Sequence, residues 1–162
     1  MLDQGSINAE AIAYSLDLFE KGHGRAGESQ KDYQPAVRDQ GFRRAIQRLQ
    51  PSCALCGIRM LTPDGHTAVD AAHIVPWSES RNDAITNGMA LCRLCHWTFD
   101  EGMIGVGDDY RVITSGLLAR ETNVPGFLLT LTGRPIIAPG DRELWPARDA
   151  PAWHRKKLRL RP

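Results

Sequence analysis

The four cysteines of this chain form two C-x-x-C pairs, Cys53/Cys56 and Cys92/Cys95, with thirty-five residues between them. No other feature limits the fold as much. Two cysteines at this spacing can turn both sulfurs onto one metal. Two such pairs close the tetrahedral all-thiolate shell that suits structural zinc. The gap is longer than in a compact zinc ribbon, so a subdomain must sit between the pairs. Bound zinc would contribute on the order of 10 kcal/mol to folding, which a small, loop-rich core needs. His96 follows the second pair, so residues 92–96 also spell the C-x-x-C-H string of haem attachment. That alternative leaves Cys53 and Cys56 without a role. An iron–sulfur cluster on the same thiolates stays open, with nothing else in the sequence pointing to it.

The 162 residues suffice for one domain, or one domain with a helical extension. No apolar run approaches the length of a membrane span. MLDQGSINAE has neither the basic nor the apolar region of a secretory signal. The expected compartment is therefore the cytoplasm, where thiols stay reduced. The formal net charge is +1, and four thiolates on one dication would lower it by roughly two. Contact with nucleic acid would have to come from local patches. Two exist: Arg38, Arg43, Arg44 and Arg48 in one segment, and Arg155, Lys156, Lys157, Arg159 and Arg161 in the tail. A solvated helix face and a frayed tail explain either patch equally well on its own.

Residues 8–20 predict a helix with Asn8 as N-cap and Ile12, Leu16 and Phe19 on its buried face. The polar, glycine-bearing stretch 21–34 predicts a linker. A second helix is expected from Pro35 to about Leu49, with Phe42, Ile46 and Leu49 on one face and Pro51 beyond its end. HTAVDAAHI reads as a strand that places Asp70 and Ala72 on one face and Val69 and Ala71 on the other. PWSESRNDAITNG reads as a turn-rich loop. A short helix should start within the second cysteine pair and end at Gly102. MIGVGDDYRVITS predicts a hairpin turning at 107–109. The proline-bearing remainder should wrap irregularly, ahead of a short basic helix near Trp153. Trp77 and Trp97 are expected in the core, and His154 in a packing role.

With four sulfurs on the zinc, His96 is free. His96 and Asp100 stand at i and i+4 on the expected helix, so both side chains project from one face. An imidazole beside a carboxylate suits a second, harder divalent cation, although surface pairs of this kind are common.

The stretch from Asp70 to Val106 resembles the HNH endonucleases, and within them a branch of HNH restriction endonucleases. The resemblance rests on A-H-I-x-P at residues 72–76, N-G-x-x-L at 87–91 and H-x-x-F-D-x-G at 96–102, with the flanking C-x-x-C pairs. It extends from about Val37 to the end of the chain through GRPIIAPG and AWHRKK. It implies an α+β chain with a ββα-metal (HNH, or His-Me finger) core on a four-cysteine zinc scaffold. N-terminal helices and an irregular C-terminal wrap would complete it. Residues 1–34 would form a helix and linker, and 35–162 the nuclease domain, with the zinc-bound core at about 53–115.

By this resemblance His73 is the general base, Asn87 the asparagine that organises the loop, and His96 a ligand of the catalytic metal. Asp100 matches the position of a further ligand one turn on. A histidine that titrates near neutrality can take a proton from water at physiological pH. Its other ring nitrogen needs an acceptor, expected to be a backbone carbonyl. Mg²⁺ or Mn²⁺ is the expected cation, and Mg²⁺ tolerates few protein ligands because it keeps its waters. One departure stands out. Many HNH proteins carry a metal ligand directly before the base, where this chain has Ala72. Asp70 is the candidate replacement, and it could equally orient a metal-bound water or cap the strand.

The expected function is metal-dependent endonucleolytic hydrolysis of DNA, of restriction or defence type. Arg43, Arg44, Arg155, Lys156 and Lys157 are candidate contacts to the nucleic-acid backbone. Such contacts position without specifying, so base recognition would fall to residues 1–50, another subunit or a separate specificity domain. A homodimer is compatible with the sequence, and no membrane partner is expected. Two rivals stand beside this: a non-catalytic zinc module that binds DNA or a protein, and an RNA-directed nuclease with the same site.

Overall fold

The computed structural model describes residues 4–20 and 33–160. Most of the polar stretch 21–34, and Arg161, lie outside them. The chain begins with two packed helices, α1 (Gln4–Glu20) and α2 (Pro35–Leu49). α2 has the predicted bounds. Proline stands at its start, where a missing N–H costs nothing, and Val37, Gly41, Phe42, Ala45 and Ile46 are buried. α1 starts four residues earlier than predicted, so Asn8 lies inside it and is not its cap. Its buried face also differs from the prediction. Ala11, Tyr14 and Leu18 face inward, while Ile12 and Leu16 are exposed. The partner surface decides this. A Cβ on Gly41 would lie 2.4 Å from the Tyr14 ring and 3.1 Å from the Ala11 carbonyl. The two helices therefore meet where α2 has no side chain. A mid-helix glycine costs about 1 kcal/mol against alanine, and here it permits that close approach.

The first cysteine pair follows α2 in a tight turn, in which the Gly57 N–H donates to the Cys53 carbonyl. Gly57 has φ 81°, which glycine adopts without strain. Strand β1 (Val69–His73) then pairs antiparallel with β2 (Gly88–Cys92) in the register His73↔Gly88 and Val69↔Cys92. The predicted loop between them contains a short helix, α3 (Trp77–Ser80), and a 3₁₀ turn over Ile85–Asn87. β2 runs directly into α4 (Arg93–Asp100), and Cys92 is both the end of the strand and the N-cap of the helix. The result is strand, strand, helix. Gly102, at φ 67°, turns the chain out of α4 as predicted.

A hairpin of β3 (Ile104–Val106) and β4 (Val112–Thr114) follows, as predicted. Three 3₁₀ turns carry the proline-bearing region. The basic helix α5 (Asp149–Lys157) closes the fold. One hydrophobic core joins all these parts, from Tyr14 and Leu18 through Phe42, Ile74 and Leu91 to Phe99 and Ala150. Among the described residues, no helix is long and apolar enough to cross a membrane.

Candidate active site and metal centre

The strand-to-helix junction brings the two cysteine pairs together. The four Sγ atoms all lie within 4.8 Å of one another, and Cys56 Sγ is 3.7 Å from Cys92 Sγ. Zn–S bonds of about 2.3 Å give a tetrahedral edge of about 3.8 Å, so the cluster fits one zinc ion. The thiols compete for a single charge. A hydrogen bond from the Cys95 thiol draws Cys53 down to about 5, while burial pushes Cys56 up to about 12. A dication is what allows such a group to ionise together.

His73 ends β1, and its ring is fixed in two ways. Phe42 of α2 stacks on it, with centroids 3.8 Å apart and planes 8° apart. Gly88, its partner across the strand pair, makes room for this. A Cβ on Gly88 would lie 2.8 Å from Phe42 Cζ and 2.4 Å from Ile46 Cδ1. Within the ring plane, Nε2 lies 2.7 Å from Oδ1 of Asp83. A carboxylate there sets the proton on Nε2 and leaves Nδ1 as the acceptor. The expected backbone carbonyl is thus replaced by a side chain.

Asp83 is fully buried, and both of its oxygens are engaged. Arg38 Nη1 donates to Oδ1 at 3.0 Å and to Oδ2 at 2.9 Å, and the Tyr14 hydroxyl donates to Oδ2 at 2.9 Å. Burial, with Asp83 beside it, holds the Tyr14 phenol protonated far above its usual range. The Arg38 guanidinium also lies 3.7 Å over the Trp77 ring. Sequence reasoning missed Asp83 and the roles of Arg38 and Tyr14. Asp83 sits in a polar loop among turn-forming residues, and no pattern distinguishes it there.

Asn87 is buried and makes three side-chain hydrogen bonds. Its Oδ1 accepts from the Val75 N–H at 3.0 Å, and its Nδ2 donates to the carbonyls of Val75 at 3.0 Å and Asn82 at 2.9 Å. It thereby ties the segment leaving His73 to the segment entering Asp83.

His96 and Asp100 project from α4, with Nε2 and Oδ2 3.5 Å apart. Cis ligands of an ion with bonds of about 2.1 Å stand about 3 Å apart, so the pair fits two positions on one cation. Both line a cavity of 440 Å³ together with His73, Trp77, Glu79 and Lys157. Asp70 is not among its walls. It stands three residues from His73 on the strand, hence on the opposite face. It lines a separate cavity with Arg43, whose Nε is 3.4 Å from Asp70 Oδ1. The structure therefore does not bring Asp70 to His96 and Asp100. Among the described residues, the cysteine cluster is the one group of three or more such donors within metal reach.

The expected backbone contacts divide. Lys157 reaches the cavity and lies 3.3 Å from Glu79. Arg155 pairs with Asp108 and donates to the Val106 carbonyl, and Arg43 also pairs with Asp39. Arg44 and Lys156 are exposed. His154 is buried against Phe99, its Nε2 donating to the Phe99 carbonyl at 2.8 Å, and burial lowers it to about 4. Trp97, expected in the core, is 54% exposed. Trp77 stands at the cavity wall instead.

Comparison with known families matches residues 53–107 to the HNH endonucleases. This segment holds β1, β2, α4 and all four cysteines. Among solved structures, the chain is similar to one described as a modification dependent TagI restriction endonuclease, with a TM-score of 0.52 and 22% identity. The match covers 72% of this chain and 37% of that one, so this chain corresponds to just over a third of that structure. Comparison with curated protein sequences found no match.

Proposed function

We propose that this chain, whose residues 53–107 carry the HNH endonuclease fold, is a divalent-metal-dependent endonuclease that hydrolyses phosphodiester bonds in DNA. One observation carries the reading. His73, with Nδ1 left as acceptor, lines the same cavity as the His96–Asp100 pair. A cleft with a base on one wall and a cation site on the other suits attack of water on a phosphate.

In this mechanism His73 Nδ1 takes the proton of the attacking water. The new P–O bond forms as the bond to the 3′ oxygen breaks, and that oxygen takes a proton from solvent. A divalent cation held by His96 and Asp100, Mg²⁺ or Mn²⁺, would supply charge neutralisation at the phosphate and the leaving oxygen. Asn87 keeps the His73 and Asp83 segments in register. Lys157 offers a positive charge at the cavity wall, with Glu79 as its partner until a phosphate arrives. The four cysteines would hold a structural zinc ion, which would fix the start of α4 and so the aim of His96.

We assign a restriction-type role. The solved relative is described as a modification dependent restriction endonuclease, and it is far longer than the aligned part of this chain. Reading of bases or modifications belongs to a separate domain or subunit in this proposal, because phosphate contacts carry no sequence information. The test offers supercoiled plasmid and a structured RNA to the zinc-loaded chain in Mg²⁺ or Mn²⁺. Nicking of plasmid that EDTA abolishes is expected. Cleavage of the RNA alone would replace the substrate, and cleavage of neither would favour a zinc binding module.

A further inference from the structure

A general base needs a fixed direction as well as a lone pair. His73 has two side-chain torsions, and two contacts remove them. The Phe42 ring, 3.8 Å away and nearly parallel, fixes the plane of the imidazole. The 2.7 Å contact between Nε2 and Asp83 Oδ1 fixes rotation within that plane. Together they determine where Nδ1 points.

Asp83 is in turn held beyond what packing requires. Four donor contacts converge on its two oxygens: His73 Nε2, Arg38 Nη1 twice, and the Tyr14 hydroxyl. These saturate the acceptor capacity of a carboxylate. Burying an ion pair contributes little net stability, because desolvation offsets attraction. Arg38 and Tyr14 alone would satisfy a structural aspartate. The remaining partner is His73, whose imidazole lines the candidate catalytic cavity opposite the His96–Asp100 pair's helix. Arg38 also matches the charge of Asp83, so the carboxylate accepts the Nε2 proton without a net negative site beside the base.

We propose that Asp83 is a positioning residue for His73, itself held by Arg38 and Tyr14, so that helices α1 and α2 form part of the catalytic apparatus. The proposal rests on His73 acting as the base of the nuclease proposed above. It assigns the N-terminal helices a task other than gripping DNA: α1 supplies Tyr14, and α2 supplies Arg38 and Phe42.

The discriminating substitution is Asp83→Asn. An asparagine can present its NH₂ to Nε2, which moves the ring proton to Nδ1 and removes the lone pair the reaction needs. Its effect should fall on kcat, not on binding. The experiment measures plasmid nicking by the zinc-loaded wild type and Asp83→Asn across DNA concentrations. It also records the ring-nitrogen spectrum of wild-type His73, assigned through His73→Ala. The wild type is expected to nick, and Asp83→Asn to lose about 100-fold or more in kcat, within the range of general-base contributions. KM should change by less than about threefold, with one zinc per chain retained, since uniform binding is untouched. The wild-type spectrum should show the proton on Nε2. A proton on Nδ1, or an active wild type with Asp83→Asn at an equal kcat, would overturn the positioning role and leave the nuclease reading standing. A wild type that does not nick would overturn the nuclease reading instead. The tautomer is read on the wild-type chain, so it decides the matter even where Asp83→Asn does not fold.

Discussion

His73 Nε2 lies 2.7 Å from Asp83 Oδ1, ten residues further along the chain. The intervening loop is folded back so that both residues reach one point, and Asn87 holds it there through Val75 and Asn82. The candidate site thus consists of two fixed arms: a loop that holds the His73 ring, and the helix α4 that carries the candidate cation ligands.

The zinc cluster should govern folding before it governs activity. Its cysteines connect the turn after α2 to the junction of β2 and α4, and the core around them is small. Chelation of zinc, or Cys95→Ser, is expected to remove a large part of the roughly 10 kcal/mol that such a site can supply. Zinc per chain and thermal unfolding followed by circular dichroism check this. An apo chain that keeps a cooperative transition at the holo midpoint would contradict it.

Asn87→Ala should destabilise the chain by about 2–4 kcal/mol. It leaves the Val75 N–H and the Asn82 carbonyl without a side-chain partner, while the Val75 carbonyl keeps the Ser80 hydroxyl, and each loss costs about 1–3 kcal/mol where water cannot replace it. Urea denaturation measures this. A midpoint equal to wild type would mean that the loop holds itself.

The cation site predicts an ordering among carboxylates. His96→Ala and Asp100→Ala should each lower Mg²⁺-dependent nicking by about 100-fold or more, a loss of the kind expected when a group stabilising transition-state charge is removed. Asp70→Ala should stay within about threefold of wild type, because Asp70 faces Arg43 in a different cavity. Titration of activity against Mg²⁺ for the three variants tests this. A loss for Asp70→Ala equal to that for Asp100→Ala would restore Asp70 as a ligand.

His154 should make stability sensitive to acid. It is 3% exposed, and burial lowers it from 6.5 to about 4 in the folded chain. The unfolded chain therefore binds this proton first. Its contribution to stability is full above about pH 6.5, falls as pH drops towards 4 and levels off below that. The loss amounts to about 3 kcal/mol at the acid end. Comparison of denaturation midpoints at pH 7 and pH 5 for wild type and His154→Leu isolates this from proton competition at the thiolates. An equal acid shift in both chains would contradict it.

Much of this architecture is legible along the chain. The bounds of α2, the 104–114 hairpin, the end of α4 at Gly102 and the basic α5 follow from local punctuation: proline at a helix start, glycine at positive φ, a charge-rich turn. β2 was not visible, because all five of its residues are buried and give no alternation. The face of α1 departs from its apolar periodicity because Gly41 on another helix selects Ala11 and Tyr14 over the more apolar Ile12 and Leu16. At the site, the cysteines and the His96–Asp100 pair could be read from spacing. Asp83 could not, since it meets Tyr14 and Arg38 across 69 and 45 residues of chain. Asp70 stands apart from His96 and Asp100, beside Arg43, for a local reason, the alternation of side chains along β1.

The central claim is that His73 activates water for hydrolysis of DNA. The most direct measurement is the rate of plasmid nicking by wild type and His73→Ala, both zinc-loaded, at saturating Mg²⁺ or Mn²⁺. Loss of about 100-fold or more in kcat, with unchanged zinc content and DNA affinity, is the predicted result. Nicking by His73→Ala at the wild-type rate would contradict the account.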